Sequence, residues 1–260
     1  LMSLGRYSQV VDACSRAQVL LERVLPSWGE FFRTTLHMEG AYCAVYLDPR
    51  PETAGRLLES LEPVDLPGTM RFIARSVRGE LELTRGNVRT AALIQRVSLR
   101  YAGNWRSILG SGSQWELYIL SMCLVTDVEL SPDDAVELDA GAIRARATSL
   151  LREILSDPAP RQRDIPTLMA FAAAVGLSAV AAEDAGPDRR AVGAELVATA
   201  LAVGTNQTCR LLSHDYLRSR TERLDALALA QAEERIRSLD RGGLVAHAAD
   251  LAGRLAGEVG

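Results

Sequence analysis

The chain has 260 residues, of which 48% are hydrophobic but only 5% are aromatic. Its formal net charge is −4, so it has no overall basic field to attract nucleic acid, and direct DNA binding is disfavoured. All 29 basic residues are arginine, so the chain has neither a Schiff-base amine nor the lysine of a phosphate-binding loop.

The four cysteines lie far apart, at positions 14, 43, 123 and 209, and form no C-x-x-C pair. This spacing favours buried thiols in a reducing compartment over a disulfide framework or a metal cluster. The sequence contains no apolar run long enough to cross a membrane and does not open with a signal peptide. We therefore expect a cytoplasmic protein without membrane association.

The first 61 residues predict one and a half helical hairpins. Residues 1–25 have the spacing of the second half of a hairpin whose first half is missing, so we expect the chain to continue a longer polypeptide. Residues 28–47 predict a helix, with Gly40 where another helix crosses closely. The prolines at 49 and 51 end it, and 52–61 predict its partner helix.

The clearest hairpin follows, with helices predicted over 68–84 and 88–101. Gly79 allows a close crossing, Gly86 ends the first helix, and Ala91 lets the second nest against it. This spacing resembles a tetratricopeptide (TPR) repeat, and Gly40 and Gly79 lie 39 residues apart, within the range of helical-hairpin repeats. The resemblance implies a right-handed superhelical stack that binds other molecules.

The remainder also predicts helices, after a Gly/Ser-rich connection at 103–113. The predicted helices are 114–127, 131–155, 167–184, 189–203, 211–239 and 244–255. The expected fold is an all-α solenoid of TPR-like hairpins over 1–102. We expect it to continue as one array into less regular hairpins and a helical cap over 103–260.

The last hundred residues resemble the C-terminal helical region of large actinobacterial regulators, the SARP-type and MalT/LuxR-like proteins. In these, a STAND-class ATPase precedes a TPR-like sensor region. The residues that carry the resemblance are the run 190–195, the pair Asp215 and Tyr216 with Arg220 and Arg223, Gly243, Leu244, Ala248, Ala249, Leu251 and Ala252. It implies that the ATPase and DNA-binding modules lie outside this chain, which contains neither a G-x-x-x-x-G-K-[ST] loop nor a basic recognition helix.

Catalytic motifs are absent from the sequence. His37 has no partner histidine at helical spacing, and the pair His214 and Asp215 is better interpreted as part of a helix start than as a metal phosphohydrolase motif. The acidic residues Asp133, Asp134, Glu137 and Asp139 favour the positive end of a helix dipole over a metal site. No G-x-S-x-G elbow occurs. We expect no cofactor, no metal and no enzymatic activity.

One row of side chains is a candidate binding site. Arg71, Arg75 and Arg78 fall on one side of the predicted helix, with Arg85 beyond its end, and guanidinium groups bind carboxylates or phosphates at two points. The alternative is a solvated helix face partnered by Glu80 and Glu82.

The expected function is that of a sensor or interaction domain in a multidomain transcriptional regulator. Its partners are then a protein or peptide, or the neighbouring ATPase and DNA-binding modules of the same polypeptide, and homo-oligomers are left open. The alternatives are a free-standing TPR adaptor and an all-helical enzyme of unrecognised type.

Overall fold

The computed structural model describes residues 51–61, 68–102, 112–130, 140–156, 165–205 and 210–257, with scattered positions between 13 and 45. All regular structure in these ranges is helical and includes no strand, which confirms the all-α prediction for this part of the chain. The chain divides into two compact units, an N-terminal unit over Leu1–Trp105 and a C-terminal unit over Arg106–Gly260. A continuous TPR-like array stays a prediction.

Some predicted features lie outside the described residues. They are the hairpin end near residue 5, the cysteines at 14, 43 and 209, the helix start at 131–134 and the acidic residues at 133, 134, 137 and 139. Cys123 is described, and it is a buried free thiol, as the cysteine spacing predicts.

The N-terminal unit contains three described helices. They are α1 (Pro51–Glu59), α2 (Gly68–Thr84) and α3 (Val88–Ala102). Proline opens α1 because its fixed φ suits the first turn of a helix, where its missing N–H costs nothing. α2 packs against both α1 and α3.

A small apolar core joins α1 and α2 to Ala41 and Val45. Its buried members are Ala41, Val45, Ala54, Leu58, Leu61, Val77 and Leu81. Val77 and Leu81 lie one turn apart on α2, as the apolar spacing of that helix predicts.

The C-terminal unit contains six described α-helices and a short 3₁₀ turn at Arg210–Leu212. The helices are α4 (Gly112–Glu129), α5 (Ala140–Ser156), α6 (Ile165–Ala181), α7 (Pro187–Val203), α8 (His214–Ile236) and α9 (Arg241–Gly257).

α6 is the central helix of this unit. Every residue from 168 to 180 is buried, because α6 is packed against α4, α5, α7 and α8. A helix that is apolar all round belongs in a core. α9 packs against α7 and also against α5, a contact between elements well separated along the chain. This unit therefore departs from a linear stack, in which each repeat contacts only its neighbours.

α8 corrects the prediction of one long continuous helix over 211–239. Asp225 has non-helical backbone angles (φ −158°, ψ 80°), and its Oδ1 accepts a hydrogen bond from the Ala228 N–H at 2.9 Å, as at a helix start. An ion pair of 2.7 Å joins Arg218 Nη1 to Glu233 Oε1. A straight helix would separate these residues by roughly 22 Å along its axis. The two halves of α8 therefore fold back towards each other at Asp225.

None of the described helices combines the length and the apolar character needed to traverse a bilayer.

Candidate functional site

The α2–α3 turn is built around Gly86. Gly86 has φ +81°, a left-handed conformation that favours glycine. The Asn87 N–H donates to the Glu82 carbonyl at 2.8 Å, and the Gly86 N–H donates to the Leu83 carbonyl at 3.0 Å. These two bonds satisfy the last carbonyls of α2 in a Schellman motif, so α2 ends at Thr84 as the Gly86 position predicts.

The Glu82 carboxylate is buried beneath this turn. It accepts hydrogen bonds of 2.8 Å from Asn87 Nδ2 and from Arg85 Nη1. Burial alone would raise the pKa of Glu82, but these two hydrogen bonds and the charges of Arg85 and Arg78 outweigh it, so its pKa is lowered. The Glu82 carboxylate is therefore ionised, and its ion pair with Arg85 fixes the position of that guanidinium group.

The predicted arginine row divides into two parts. Arg85 is bound to Glu82, and its Nη2 lies 3.0 Å from where a Cβ on Gly55 of α1 would be, so it stabilises the turn and covers α1. The other members lie along α2 and already interact with other residues of the chain: Arg71, Arg75 and Arg78. A clamp made by these four side chains stays a prediction, with Arg85 the member most committed to the fold.

Small residues lie where the N-terminal helices approach one another. A Cβ on Gly79 would be 3.3 Å from Gln95 Cγ of α3, and a Cβ on Gly40 would be 3.3 Å from Leu57 Cδ1 of α1. Ala91 is fully buried in the first turn of α3. These contacts are packing contacts, and the assignment of these residues to a TPR repeat stays a prediction.

The outward face of α3 is apolar. Leu93 and Val97, one turn apart, are 46% and 40% exposed, although they lie in the middle of a helix. The opposite side of α3 is buried and includes Ala91, Ala92, Gln95 and Ser98. Neither Leu93 nor Val97 is among the site residues predicted from the sequence. The signal that could have found them in the sequence is their i, i+4 spacing, which forms a second apolar row beside the stripe of smaller buried residues.

In the C-terminal unit, Glu195 of α7 joins three helices. Its carboxylate accepts a hydrogen bond of 2.7 Å from Arg235 Nε of α8 and lies 2.7 Å from His247 Nε2 of α9. Burial alone would raise the pKa of Glu195, but the bonds from His247 and Arg235 lower it overall.

Glu129, at the end of α4, forms a second such junction. The Tyr216 hydroxyl donates a hydrogen bond to Glu129, and Arg220 Nε lies 2.7 Å from the same carboxylate. Arg220 also donates to the Val128 carbonyl at 3.2 Å, at the negative end of the α4 dipole. Burial, reinforced by Glu129, raises the pKa of the Tyr216 hydroxyl. Three of the residues that carry the resemblance to the regulators therefore hold helices together: Glu195, Tyr216 and Arg220.

The described histidines have structural partners. His37 Nδ1 lies 2.7 Å from Ser60 Oγ, and His247 contacts Glu195. The interpretation of 213–215 as a helix start is confirmed, because Ser213 is the N-cap of α8 and accepts from the Tyr216 N–H at 3.4 Å. Within the described ranges, no three His, Cys, Asp or Glu residues are grouped so that they could hold a metal ion.

Comparison with known proteins finds no match to this chain among protein-family models, curated proteins or solved structures.

Proposed function

We propose that this chain is a non-catalytic binding domain that takes a protein partner on the outward face of α3. The observation that carries the proposal is the exposure of Leu93 and Val97 on one face of a helix whose other face is buried. Apolar side chains that adjoin one another on a folded surface are typical of contact sites. The partner is expected to present an apolar patch that covers both side chains.

The charged residues support a binding role over catalysis. Three carboxylates pair with donors in the same turn or on a neighbouring helix, and their charges therefore stabilise the fold: Glu82, Glu129 and Glu195. A catalytic acid or base needs a carboxylate that reaches substrate, and these carboxylates are already occupied by intramolecular donors.

The proposed setting is a multidomain transcriptional regulator, with the chain as its sensor or interaction region. The support is the resemblance at 190–195, 215–223 and 243–252. In that setting, a bound partner shifts the population between two states of the regulator, by as much as its affinities for the two states differ. This step rests on analogy between families.

A free-standing TPR adaptor is the alternative, and the mass of the native polypeptide separates the two. A native protein much larger than 28.2 kDa with a phosphate-binding loop upstream supports the regulator. A start codon directly before Leu1 supports the adaptor.

The experiment is co-purification of the full-length protein from its native host, followed by mass spectrometry of bound proteins. Binding is then reconstituted with the purified partner. Leu93→Glu and Val97→Glu should each weaken the reconstituted binding at least tenfold, because each places a charge in an apolar contact. The matched control is Leu227→Glu, since Leu227 is also exposed (68%) but lies in the C-terminal unit. Equal binding by the wild type and both α3 variants would contradict the proposal.

The arginine row is tested separately with Arg71→Ala, Arg75→Ala and Arg78→Ala combined. Loss of binding to the same purified partner would support a clamp on an acidic segment. Unchanged binding would remove the clamp and leave the α3 face as the contact.

A further inference from the structure

The α2–α3 hairpin is strongly basic in a chain that is acidic overall. Residues 68–102 contain seven arginines and two glutamates, a formal charge of +5, whereas the whole chain has a formal charge of −4. Both glutamates are withdrawn from the surface, because Glu80 is 3% exposed and Glu82 is 7% exposed. Arg85 and Arg89, in contrast, are exposed. The hairpin therefore presents positive charge to solvent.

Arg89 continues the apolar row on the outward face of α3. It is exposed, and it precedes Leu93 by four residues, just as Leu93 precedes Val97. Residues four apart follow one another along the same face of a helix, about 6 Å apart along its axis. The face is therefore a ridge with an arginine at its N-terminal end and two exposed apolar side chains after it.

The guanidinium group of Arg89 is suited to bind a carboxylate of the partner. Arg89 also interacts with other residues of the chain, but a guanidinium group has five N–H donors, so it can serve more than one acceptor. α3 contains three arginines and no acidic residue. A partner that places positive charge opposite this helix is repelled, and one that places carboxylates there is attracted.

We propose that the outward face of α3 takes an acidic amphipathic helix of its protein partner. This inference rests on the proposed function and adds the chemistry of the partner segment. A ridge of side chains four residues apart fits the groove between two such rows of a second helix. The partner helix covers Leu93 and Val97 with its own apolar row and places a carboxylate against Arg89.

The apolar pair distinguishes this face from a surface for nucleic acid. Nucleic-acid surfaces follow the phosphate backbone with basic groups and stack bases on aromatic side chains. Along this ridge, Arg89 is followed by Leu93 and Val97, which neither bind phosphate nor stack on a base. A protein helix with one apolar and one acidic row complements both parts of the ridge.

The test is the fluorescence anisotropy of labelled peptides titrated with the full chain. Three alanine-based helical peptides of about 18 residues carry two leucines one turn apart, flanked by glutamate, by glutamine or by lysine. The glutamate peptide should bind at least tenfold more tightly than the lysine peptide, and its affinity should fall as salt is raised. Replacing its leucines with serine should weaken its binding at least tenfold.

Variants of the chain locate the contact. Arg89→Glu should weaken binding of the glutamate peptide at least tenfold and strengthen binding of the lysine peptide, a gain that a misfolded variant would not show. Leu93→Glu should weaken binding of the glutamate and glutamine peptides. The matched control is Arg56→Glu, which makes the same charge change at an exposed position of α1 and should alter binding less than threefold.

The outcomes separate this inference from the proposed function. The acidic partner is overturned if the glutamate peptide binds no more tightly than the glutamine peptide, or if Arg89→Glu leaves its binding unchanged. The α3 face as a protein contact would then still depend on the Leu93→Glu test with the purified partner.

Two other occupants of the face would also overturn the inference. One is nucleic acid, shown by a mixed-sequence DNA duplex that displaces the glutamate peptide from the wild type. The other is a second copy of the chain, shown by a dimer in size-exclusion chromatography that Leu93→Glu dissociates.

Discussion

The α2–α3 and α6–α7 hairpins both cross at glycine, but they differ in what the glycine meets. A Cβ on Gly79 of α2 would lie 3.3 Å from Gln95 Cγ, part of a flexible side chain. A Cβ on Gly176 of α6 would lie 2.5 Å from the carbonyl oxygen of Gly193 on α7, which is backbone. The first contact adjusts by a change of rotamer, whereas the second requires the helices to separate. The glycine with the clearer repeat spacing is therefore the less constrained one.

The largest expected effect is that of Gly176→Ala. The added methyl group would also lie 2.9 Å from Val197 Cγ2, so it overpacks the most buried helix pair of the C-terminal unit. We expect the free energy of unfolding to fall by about 3 kcal/mol. Urea unfolding followed by circular dichroism measures this change.

Gly253→Ala is the matched control, on α9. Its Cβ would meet only Arg152 Cδ, at 3.8 Å, which is an ordinary contact. Because alanine is a better helix former than glycine, this variant should gain up to about 1 kcal/mol. A loss below about 1 kcal/mol for Gly176→Ala would show that the α6–α7 crossing is no tighter than that of α2–α3.

Next in size is Glu195→Ala, on the second helix of the tighter hairpin. It removes the hydrogen-bonded contacts to both Arg235 and His247, and we expect the free energy of unfolding to fall by about 2 kcal/mol. The fall is smaller than for a fully buried ion pair because Arg235 is partly exposed. The comparison variant is Arg237→Ala, whose pair with Glu234 is largely exposed and should change stability by less than about 0.5 kcal/mol. Equal losses in the two variants would contradict a special role for Glu195.

The Glu195 contribution should also depend on pH. The pKa of Glu195 is lowered in the folded protein, so its stabilisation is complete above the ordinary value of 4.5 and is lost as the pH falls through the lowered value. The stability difference between the wild type and Glu195→Gln, measured by urea unfolding, should therefore shrink on acidification below pH 4.5. A difference that grows on acidification would mean that the carboxylate is not the stabilising form.

In the α2–α3 hairpin, a substitution in the turn should lower stability more than a substitution at the helix crossing. Gly86→Ala forces a side chain into the left-handed region and should cost about 1 kcal/mol. Gly86→Asn should cost less, because asparagine tolerates that conformation. Thermal melts of the two variants measure the order, and a Gly86→Ala variant as stable as the wild type would remove the requirement for glycine.

The smallest effect is expected for Gly79→Ala. The contact with Gln95 Cγ is tight but adjustable, and the better helix propensity of alanine offsets it, so the change should stay within about 1 kcal/mol. A loss as large as that of Gly176→Ala would make the two crossings equivalent.

Local sequence determined the helices of this protein and several of their ends. α2 spans Gly68–Thr84 as predicted, because Gly86 ends it through bonds made within a few residues of itself. Helix starts at Pro51, Pro187 and Ser213 follow from the same short-range chemistry of caps and first turns.

Only the tertiary structure decided which residues meet across the chain. The break at Asp225 lies in a run of good helix formers, and the Arg218–Glu233 pair that accompanies it joins residues that a straight helix would hold far apart. The closeness of Gly176 to Gly193 and the exposure of Leu93 and Val97 likewise depend on how helices pack. So does the hydrogen bond from Arg144 to Ser178, which joins α5 to α6. Periodicity shows that a helix has an apolar face, but long-range packing selects its neighbour, because that choice depends on surfaces distant in the sequence.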